Sequence, residues 1–139
     1  MVIKQLSVFV ENQLGKLAEI TGVLKENDID IRALCIADTT DFGILRLIVS
    51  DPDRAEKLLR EQGFTVSITG VIGVGVLDRP GGLADVLQPL SAAGIGIEYM
   101  YAYVSKSDRT AFVILRVEDT KRALDTLREN GITILEQAY

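Results

Sequence analysis

The sequence contains no histidine, and its only cysteine is Cys35. Without histidine, imidazole-based acid–base catalysis, Ser-His-Asp relays and histidine-ligated metal sites are excluded. With one cysteine, neither an intrachain disulfide nor a CxxC site can form. The enzyme and metal-binding classes that require histidine or a pair of cysteines are therefore excluded.

The sequence also lacks an excess of positive charge and long apolar runs. Its 20 acidic residues outnumber its 15 Lys and Arg, giving a net charge of −5, whereas nucleic-acid binders concentrate positive charge on one face. No apolar stretch approaches the roughly 20 residues of a membrane span, and no secretory signal is visible. We expect no nucleic-acid partner, no membrane partner, no cofactor and a cytoplasmic location.

What the chain does contain is an internal repeat. The segment Asn12–Ile20 returns as Asp78–Val86, and the segment Asp51–Gly63 returns as Asp119–Gly131. A short insertion around residues 105–108 lengthens the second copy. The spacing of the matched segments indicates a duplicated fold.

The two copies correspond to a repeat over residues 1–69 and a repeat over residues 70–139. Units of about 70 residues are near the lower limit for independent folding. The hydrophobic fraction of 47% and the mean hydropathy of +0.23 are high for such a short chain. We therefore expect apolar surface to be buried between the repeats and between chains, so that the protein forms a homo-oligomer, most simply a dimer.

Hydrophobic periodicity and turn residues predict the same order of elements in each copy. In the first copy Asp51 is the predicted N-cap of the second helix, with Pro52 at its first position. Gly63 is its predicted C-cap. The predicted strands are Val2–Val10, Ile29–Ala37, Phe42–Ser50 and Phe64–Gly70, and the predicted helices lie at about 15–27 and 52–62.

In the second copy Pro89 lies inside a predicted helix, where it removes a backbone donor and is expected to kink the helix. The fold class is α+β, with two tandem ferredoxin-like βαββαβ repeats, antiparallel sheets and helices on one face. Because Thr69–Val71 leaves no linker, we expect the repeats to join side by side into one extended sheet. The predicted strands are Val71–Leu77, Ile95–Val104, Thr110–Val117 and Ile132–Ala138, and the predicted helices are Gly82–Ala93 and Thr120–Asn130.

The loop after each first strand carries the most specific motif. In the second copy it reads Asp78-Arg79-Pro80-Gly81-Gly82-Leu83, which is a polar residue, x-Pro-Gly and an apolar residue that begins a helix. The first copy, Asn12-Gln13-Leu14-Gly15-Lys16-Leu17, has leucine in place of proline. Both copies have Ile-x-Ile at the start of the second strand, with Asp30 or Gly96 in the middle. These features resemble ACT domains over essentially the whole chain, as in small freestanding tandem ACT proteins without a catalytic partner.

Elementary chemistry supports a ligand role for these loops. The unpaired N–H groups and positive dipole end of a helix start suit a carboxylate, and Asp78 or Asn12 can accept hydrogen bonds from an ammonium group. The resemblance implies that the residue in the middle of Ile-x-Ile contributes from the facing domain. Loop 78–83 with Asp30 is therefore the predicted tighter amino-acid site, and loop 12–17 with Gly96 the weaker or vestigial one. Ordinary turn chemistry before a helix explains the same motif without a ligand.

Three functions remain open at this point. The first is a non-catalytic, allosteric module that binds an amino acid between its repeats and regulates a metabolic enzyme. The second is a structural module that dimerises or docks on such an enzyme without a small molecule. The third is a small enzyme, although no cluster of catalytic groups stands out. Tyr99, Tyr101 and Tyr103 share one face of a strand, either as a wall for an apolar ligand or interface, or simply as packing.

Overall fold

A computed structural model describes residues 2–38, 41–102 and 110–136 of the chain, with the Asp38 side chain excepted. The helices are α1 (Lys16–Glu26), α2 (Pro52–Glu61), α3 (Gly82–Ala92) and α4 (Thr120–Glu129). The strands are β1 (Ile3–Glu11), β2 (Ile31–Asp38), β3 (Phe42–Val49), β4 (Thr65–Leu77), β5 (Ile97–Ala102), β6 (Thr110–Val117) and β7 (Ile134–Leu135). The fold is therefore α+β, and the order of elements is two successive βαββαβ repeats, as predicted.

The described residues form two compact units, residues 4–69 and residues 70–136, and the second unit also includes Val2 and Ile3. In the first unit the strand order is β2-β3-β1-β4, and β3 pairs antiparallel with both β1 and β2. In the second unit β6 pairs antiparallel with β4 and β5, and β7 pairs antiparallel with β4. Both units have the strand neighbours of a ferredoxin-like repeat.

Each unit buries alternate strand residues against its two helices. In the first unit the β1 residues of the core are Leu6, Val8 and Val10, and in the second the β4 residues are Ile72, Val74 and Val76. Alternation follows from the two-residue period of a strand, which points successive side chains to opposite faces. Helix residues complete the cores: Ile20, Leu24, Ala55 and Leu59 in the first, and Val86, Leu90, Ala123 and Leu127 in the second.

The predicted N-cap of α2 is confirmed, and α4 has the same kind of cap. The Asp51 carboxylate accepts a hydrogen bond from the Arg54 N–H at 3.3 Å, with Pro52 at the start of the helix. Asp119 accepts in the same way from the Arg122 N–H at 3.2 Å. A side chain at this position satisfies one of the N–H groups that a helix start leaves without a partner.

The strand boundaries differ from the predictions in three places. The predicted strands Phe64–Gly70 and Val71–Leu77 form the single strand β4, which continues through Thr69 and Gly70. β2 and β5 begin two residues later than predicted, each with a register shift at its start. β7 has only two residues in the described part of the chain.

Two glycines of β4 are required by close packing. A Cβ at Gly73 would lie 2.8 Å from Cδ1 of both Ile3 and Leu135, and a Cβ at Gly70 would lie 2.6 Å from Val2 Cγ1. Carbon atoms in contact are normally about 3.5–4.0 Å apart. These glycines therefore allow close approach of neighbouring side chains, as their position in a strand predicts.

Helix α3 continues through Pro89 to Ala92 rather than ending at the proline. The Ala93 N–H donates to the Pro89 carbonyl oxygen at 3.1 Å and closes the last turn. Proline lacks only its own N–H, so the turns on either side can keep their bonds.

Candidate functional site

The loops after the first strand of each repeat have the same backbone hydrogen bonds. The Gln13 N–H donates to the Glu11 carbonyl oxygen at 2.8 Å, and the Arg79 N–H donates to the Leu77 carbonyl oxygen at 2.8 Å. The Lys16 N–H then donates to the Gln13 carbonyl oxygen at 3.4 Å, and the Gly82 N–H donates to the Arg79 carbonyl oxygen at 3.0 Å. This second bond is therefore longer in the first repeat. The two motifs therefore fold alike although one has Leu14 and the other Pro80.

Both loops end in a glycine with a left-handed backbone. Gly15 has φ 88° and Gly81 has φ 85°, a conformation that costs other L-residues about 1–2 kcal/mol. Each glycine occupies the N-cap position of its helix, and no side chain caps either helix start. The Lys16 and Gly82 N–H groups donate within the loops, and the cap residue gives no side-chain acceptor to the other N–H groups of the first turns of α1 and α3. Uncapped N–H groups at a helix start can bind anions.

Gly82 has a packing role that the sequence did not reveal. A Cβ at this position would overlap the Leu77 carbonyl oxygen and lie 3.2 Å from Val76 Cγ1. Glycine is needed here because the helix start lies against its own preceding strand, so approach of a ligand is not required to explain it. In the first repeat Lys16 occupies the matching position, and its Nζ lies 3.8 Å from Glu19 Oε2.

The remaining residues of the two loops are mostly exposed. Asp78, Arg79, Pro80 and Gly81 are exposed, while Leu83 packs against the second core. Arg79 Nη2 is 3.0 Å from Asp85 Oδ2, one turn into α3. In the first repeat the side chain of Leu14 is fully exposed, and Asn12, Gln13, Gly15 and Leu17 are exposed with it.

Asp30 lies immediately before β2 and is exposed to solvent. Its Oδ2 is 2.9 Å from Arg32 Nη1, and its backbone exchanges two hydrogen bonds of 2.9 Å with Ser50. An open cavity of about 520 Å³ lies beside these residues. The Asp30 carboxylate is therefore already paired with Arg32, a residue that sequence reasoning missed, and the guanidinium group of Arg32 is a donor that suits carboxylates.

Gly96 occupies the position of Asp30 in the second repeat, but a carboxylate lies there nonetheless. The Glu118 N–H donates to the Gly96 carbonyl oxygen at 3.2 Å, as Ser50 does to Asp30. A Cβ at Gly96 would lie 2.7 Å from Glu118 Cδ and would overlap the carboxylate oxygen beyond it. The acidic group thus moves from the start of the second strand to the residue after the third. Comparison of Ser50 with Glu118 in the aligned copies is the signal that could have found this exchange.

The tyrosines of β5 pack along their strand. The rings of Tyr99 and Tyr101 are stacked with centroids 6.5 Å apart and an interplanar angle of 21°, and Tyr101 is buried. Tyr103 lies outside the described residues. For the two described tyrosines, burial and stacking favour a packing role.

In the part of the chain that the structure describes, no helix has the length and apolar character needed to cross a bilayer. Within residues 2–38, 41–102 and 110–136 no cluster of three or more Cys, Asp or Glu side chains is arranged to hold a metal ion. The described loops therefore offer backbone donors and single carboxylates.

The sequence matches the family model for an ACT domain pair over residues 1–138. The chain therefore belongs to the ACT domain family, as two tandem ACT domains. No protein with a curated description matches the sequence.

Solved structures give the same fold. The protein BT0572 from Bacteroides thetaiotaomicron is 47% identical, with a TM-score of 0.92 over 97% of this chain and 92% of that chain. The ligand-free regulatory subunit of aspartate kinase from Thermus thermophilus is 17% identical, with a TM-score of 0.68 over 91% of both chains. Escherichia coli aspartokinase III with aspartate and ADP is 20% identical, with a TM-score of 0.56 over 93% of this chain and 32% of that chain. At these lower identities the similarity establishes the fold.

Proposed function

We propose that this chain is a non-catalytic regulatory protein that binds a free α-amino acid at the interface between its two ACT repeats. Loop 78–83 would hold the carboxylate through the N–H groups at the start of α3, and Asp78 would hold the ammonium group. The observation that carries the proposal is the helix start itself, with a left-handed Gly81 and no side-chain cap. Uncapped N–H groups at a helix start bind anions through direct bonds and the helix dipole.

Asp30 completes the proposed site from the other repeat, as the family resemblance implies. Its neighbour Arg32, 2.9 Å from the Asp30 carboxylate, would reorient so that Asp30 meets the ammonium group and Arg32 the carboxylate. Opposite charges on one strand start match the two ends of an amino acid. Loop 78–83 with Asp30 remains the proposed tighter site because Asp78 is charged whereas Asn12 is not, and Glu118 supplies the carboxylate beside Gly96 at the weaker site, loop 12–17.

Binding would regulate through a difference in affinity between two arrangements of the protein. A ligand shifts such an equilibrium only by as much as it prefers one arrangement. The proposed readout is the stability of a homodimer or of a complex with a metabolic enzyme. Neighbours named as regulatory subunits of aspartate kinase make an enzyme partner a natural candidate.

A thermal-shift panel of the twenty amino acids tests the proposal. A ligand at 100 times its Kd should stabilise the protein by about 2.7 kcal/mol. Titration calorimetry on the best ligand should then show that Asp78→Ala and Asp30→Ala each weaken binding by about tenfold or more. The matched control is Asp125→Ala, which removes the same charge from an exposed position on α4.

Two outcomes would refute this site. A flat panel would remove ligand sensing, and unchanged affinity in both the Asp78→Ala and Asp30→Ala variants would remove the assignment. If each variant alone fails to bind, a mixture of the two variants tests whether Asp78 and Asp30 of one site belong to different chains. Recovery of about a quarter of the wild-type sites in the mixture would show that the two residues come from different chains.

The second candidate is an interaction module without a small molecule. It is favoured by exposed apolar side chains in the first repeat, where Leu14, Leu17, Leu34 and Ile36 are between 42% and 106% exposed. Exposed apolar groups of this kind mark protein contacts when they cluster. A flat ligand panel together with a dimer in light scattering that Leu34→Lys dissociates would favour this function.

A further inference from the structure

Each repeat contains a cavity beside its first-strand loop, and each cavity shares one residue with that loop, Lys16 in the first repeat and Gly82 in the second. In the first repeat it lies between the end of β1, the start of α1, the start of β3 and the turn between α2 and β4, and its volume is about 430 Å³. A cavity of about 260 Å³ occupies the corresponding place in the second repeat. We call them the first-repeat pocket and the second-repeat pocket.

The two pockets have matching positions but different side chains. Three aromatic rings of the first-repeat pocket, those of Phe9, Phe42 and Phe64, correspond in the second to Gly75, Thr110 and Ile132. Three charged residues, Glu11, Lys16 and Glu19, correspond to Leu77, Gly82 and Asp85. The duplicated fold therefore provides the cavity, but only the first copy lines it with aromatic rings and with more than one charged residue.

Within the first-repeat pocket, one positive and one negative group already neutralise each other. Lys16 Nζ lies 3.8 Å from Glu19 Oε2 and 5.9 Å from the centre of the Phe64 ring. Glu11 makes no ion pair with any of the described residues. The lining therefore carries one net negative charge, which favours a cation and opposes an anion.

Glu11 lines the first-repeat pocket together with aromatic residues on its own strand and on the paired strand. Phe42 is its direct cross-strand partner, and Phe9 lies two residues earlier on the same face of β1. Both rings are about half exposed, at 53% for Phe9 and 55% for Phe42. Aromatic faces attract organic cations because the ring quadrupole places negative charge above the ring. Aromatic rings together with a carboxylate that makes no ion pair among the described residues suit an alkylammonium group.

We propose that the first-repeat pocket binds a small organic ammonium ion, with its charge at Glu11 and its aliphatic part against the phenylalanine rings. The volume of about 430 Å³ falls in the range of small-molecule sites. In the second-repeat pocket Asp85 is paired with Arg79 at 3.0 Å and the aromatic rings are replaced, so that pocket does not bind the ion. The site uses neither Asp78 nor Asp30 and is distinct from the tighter amino-acid site, and it shares Lys16 with loop 12–17 of the weaker one.

The test is a titration of the full chain, followed by two-dimensional NMR, with three probes of one size: n-hexylammonium, 1-hexanol and hexanoate. Hexylammonium should bind at least about tenfold more tightly than hexanol. Hexanoate should not compete with it. The shifted amides should include those of Glu11, Lys16 and Gly63. Equal binding of hexanol, or shifts confined to the second repeat, would overturn the proposal.

Variants locate the site. Glu11→Gln should weaken hexylammonium binding about tenfold, and Phe42→Thr, which introduces the residue of the second repeat, should weaken it severalfold. The control is Glu26→Gln, which makes the same change in net charge at an exposed position of α1 outside the pocket. Equal weakening by Glu11→Gln and Glu26→Gln would assign the effect to net charge and overturn the proposal.

A blocked lysine, N-acetyl-lysine methylamide, tests whether the ligand is a free small amine or a lysine side chain of another protein. It presents an ammonium group on a similar aliphatic stem, but it also carries two amide groups that the pocket must accommodate. Weaker binding than hexylammonium supports a free small amine as the ligand. Tighter binding than hexylammonium would contradict that assignment.

Discussion

The two repeats bury the same kind of residue at the same positions and expose different ones. Leu47 and Leu115 occupy equivalent places in the two cores, and both are almost completely buried. At exposed positions the comparison reverses, because Glu11 corresponds to Leu77 and Leu14 to Pro80. Packing limits which side chains fit a core, whereas exposed positions tolerate exchange. The differences between the repeats are therefore where specific function is expected.

The largest expected effect tests whether the two cores are equivalent. Leu47→Ala and Leu115→Ala each remove a buried side chain from a core of alternating strand residues, and each should lower the free energy of unfolding by about 3 kcal/mol. Chemical denaturation of each variant measures this loss. A cost below about 1 kcal/mol in one repeat only would break the equivalence of the cores.

The next prediction exchanges the residues at the two helix starts. Gly82→Lys places a side chain against the Leu77 carbonyl oxygen and should destabilise the protein by about 2–3 kcal/mol. The reverse change, Lys16→Gly, should cost about 1 kcal/mol or less. Thermal unfolding of both variants is the measurement. Similar costs would mean that the two helix starts are packed alike, contrary to the structure.

A smaller effect tests the shared backbone of the two loops. Gly15→Ala and Gly81→Ala each force a Cβ into a left-handed conformation, which costs about 1–2 kcal/mol. Neither new Cβ would meet another atom within 4 Å, so the backbone conformation is the main cause of the loss. Urea unfolding should give the same loss for both variants within about 0.5 kcal/mol. Unequal losses would show that the loops differ more than their hydrogen bonds indicate.

The smallest expected effect concerns the exchanged carboxylate. Gly96→Asp alone brings a new acid against Glu118 and should destabilise the protein by about 1 kcal/mol, because like charges repel. Adding Glu118→Ser recreates the first-repeat pair and should recover most of that loss. A double-mutant cycle measures the coupling between the two positions. No recovery in the double variant would mean that the two positions are independent.

Much of this fold could be predicted from the internal repeat and from its capping and turn residues. The Asp51 and Asp119 caps follow from residue type and position, because the hydrogen bond spans only three residues. The motif also places Gly15 and Gly81 at the helix starts, and the structure shows that glycine is favoured there because the backbone is left-handed. For β4 the sequence predicts two strands, because one half of β4 is the last strand of the first repeat and the other half is the first strand of the second repeat.

The candidate site was less predictable. The loop residues and Asp30 could be selected by motif, but the Asp30–Arg32 ion pair depends on side-chain directions at the start of a strand with a register shift. The Glu118 carboxylate beside Gly96 requires knowledge of which strand ends are neighbours. The first-repeat pocket combines four segments that are far apart in sequence, so no local motif indicates it.

By itself, the sequence determined the duplicated βαββαβ order, the two caps and the alternating core, because each depends on periodicity or on contacts within a few residues. Only the tertiary structure decided that Gly82 lies against the Leu77 carbonyl oxygen, that Glu118 replaces Asp30 as the acid, and that Phe9, Phe42 and Phe64 line one cavity with Glu11. These contacts join residues whose proximity is created by strand pairing and helix packing. Two copies of one fold therefore provide the same cavities, and the side chains that the fold brings together there make them chemically different.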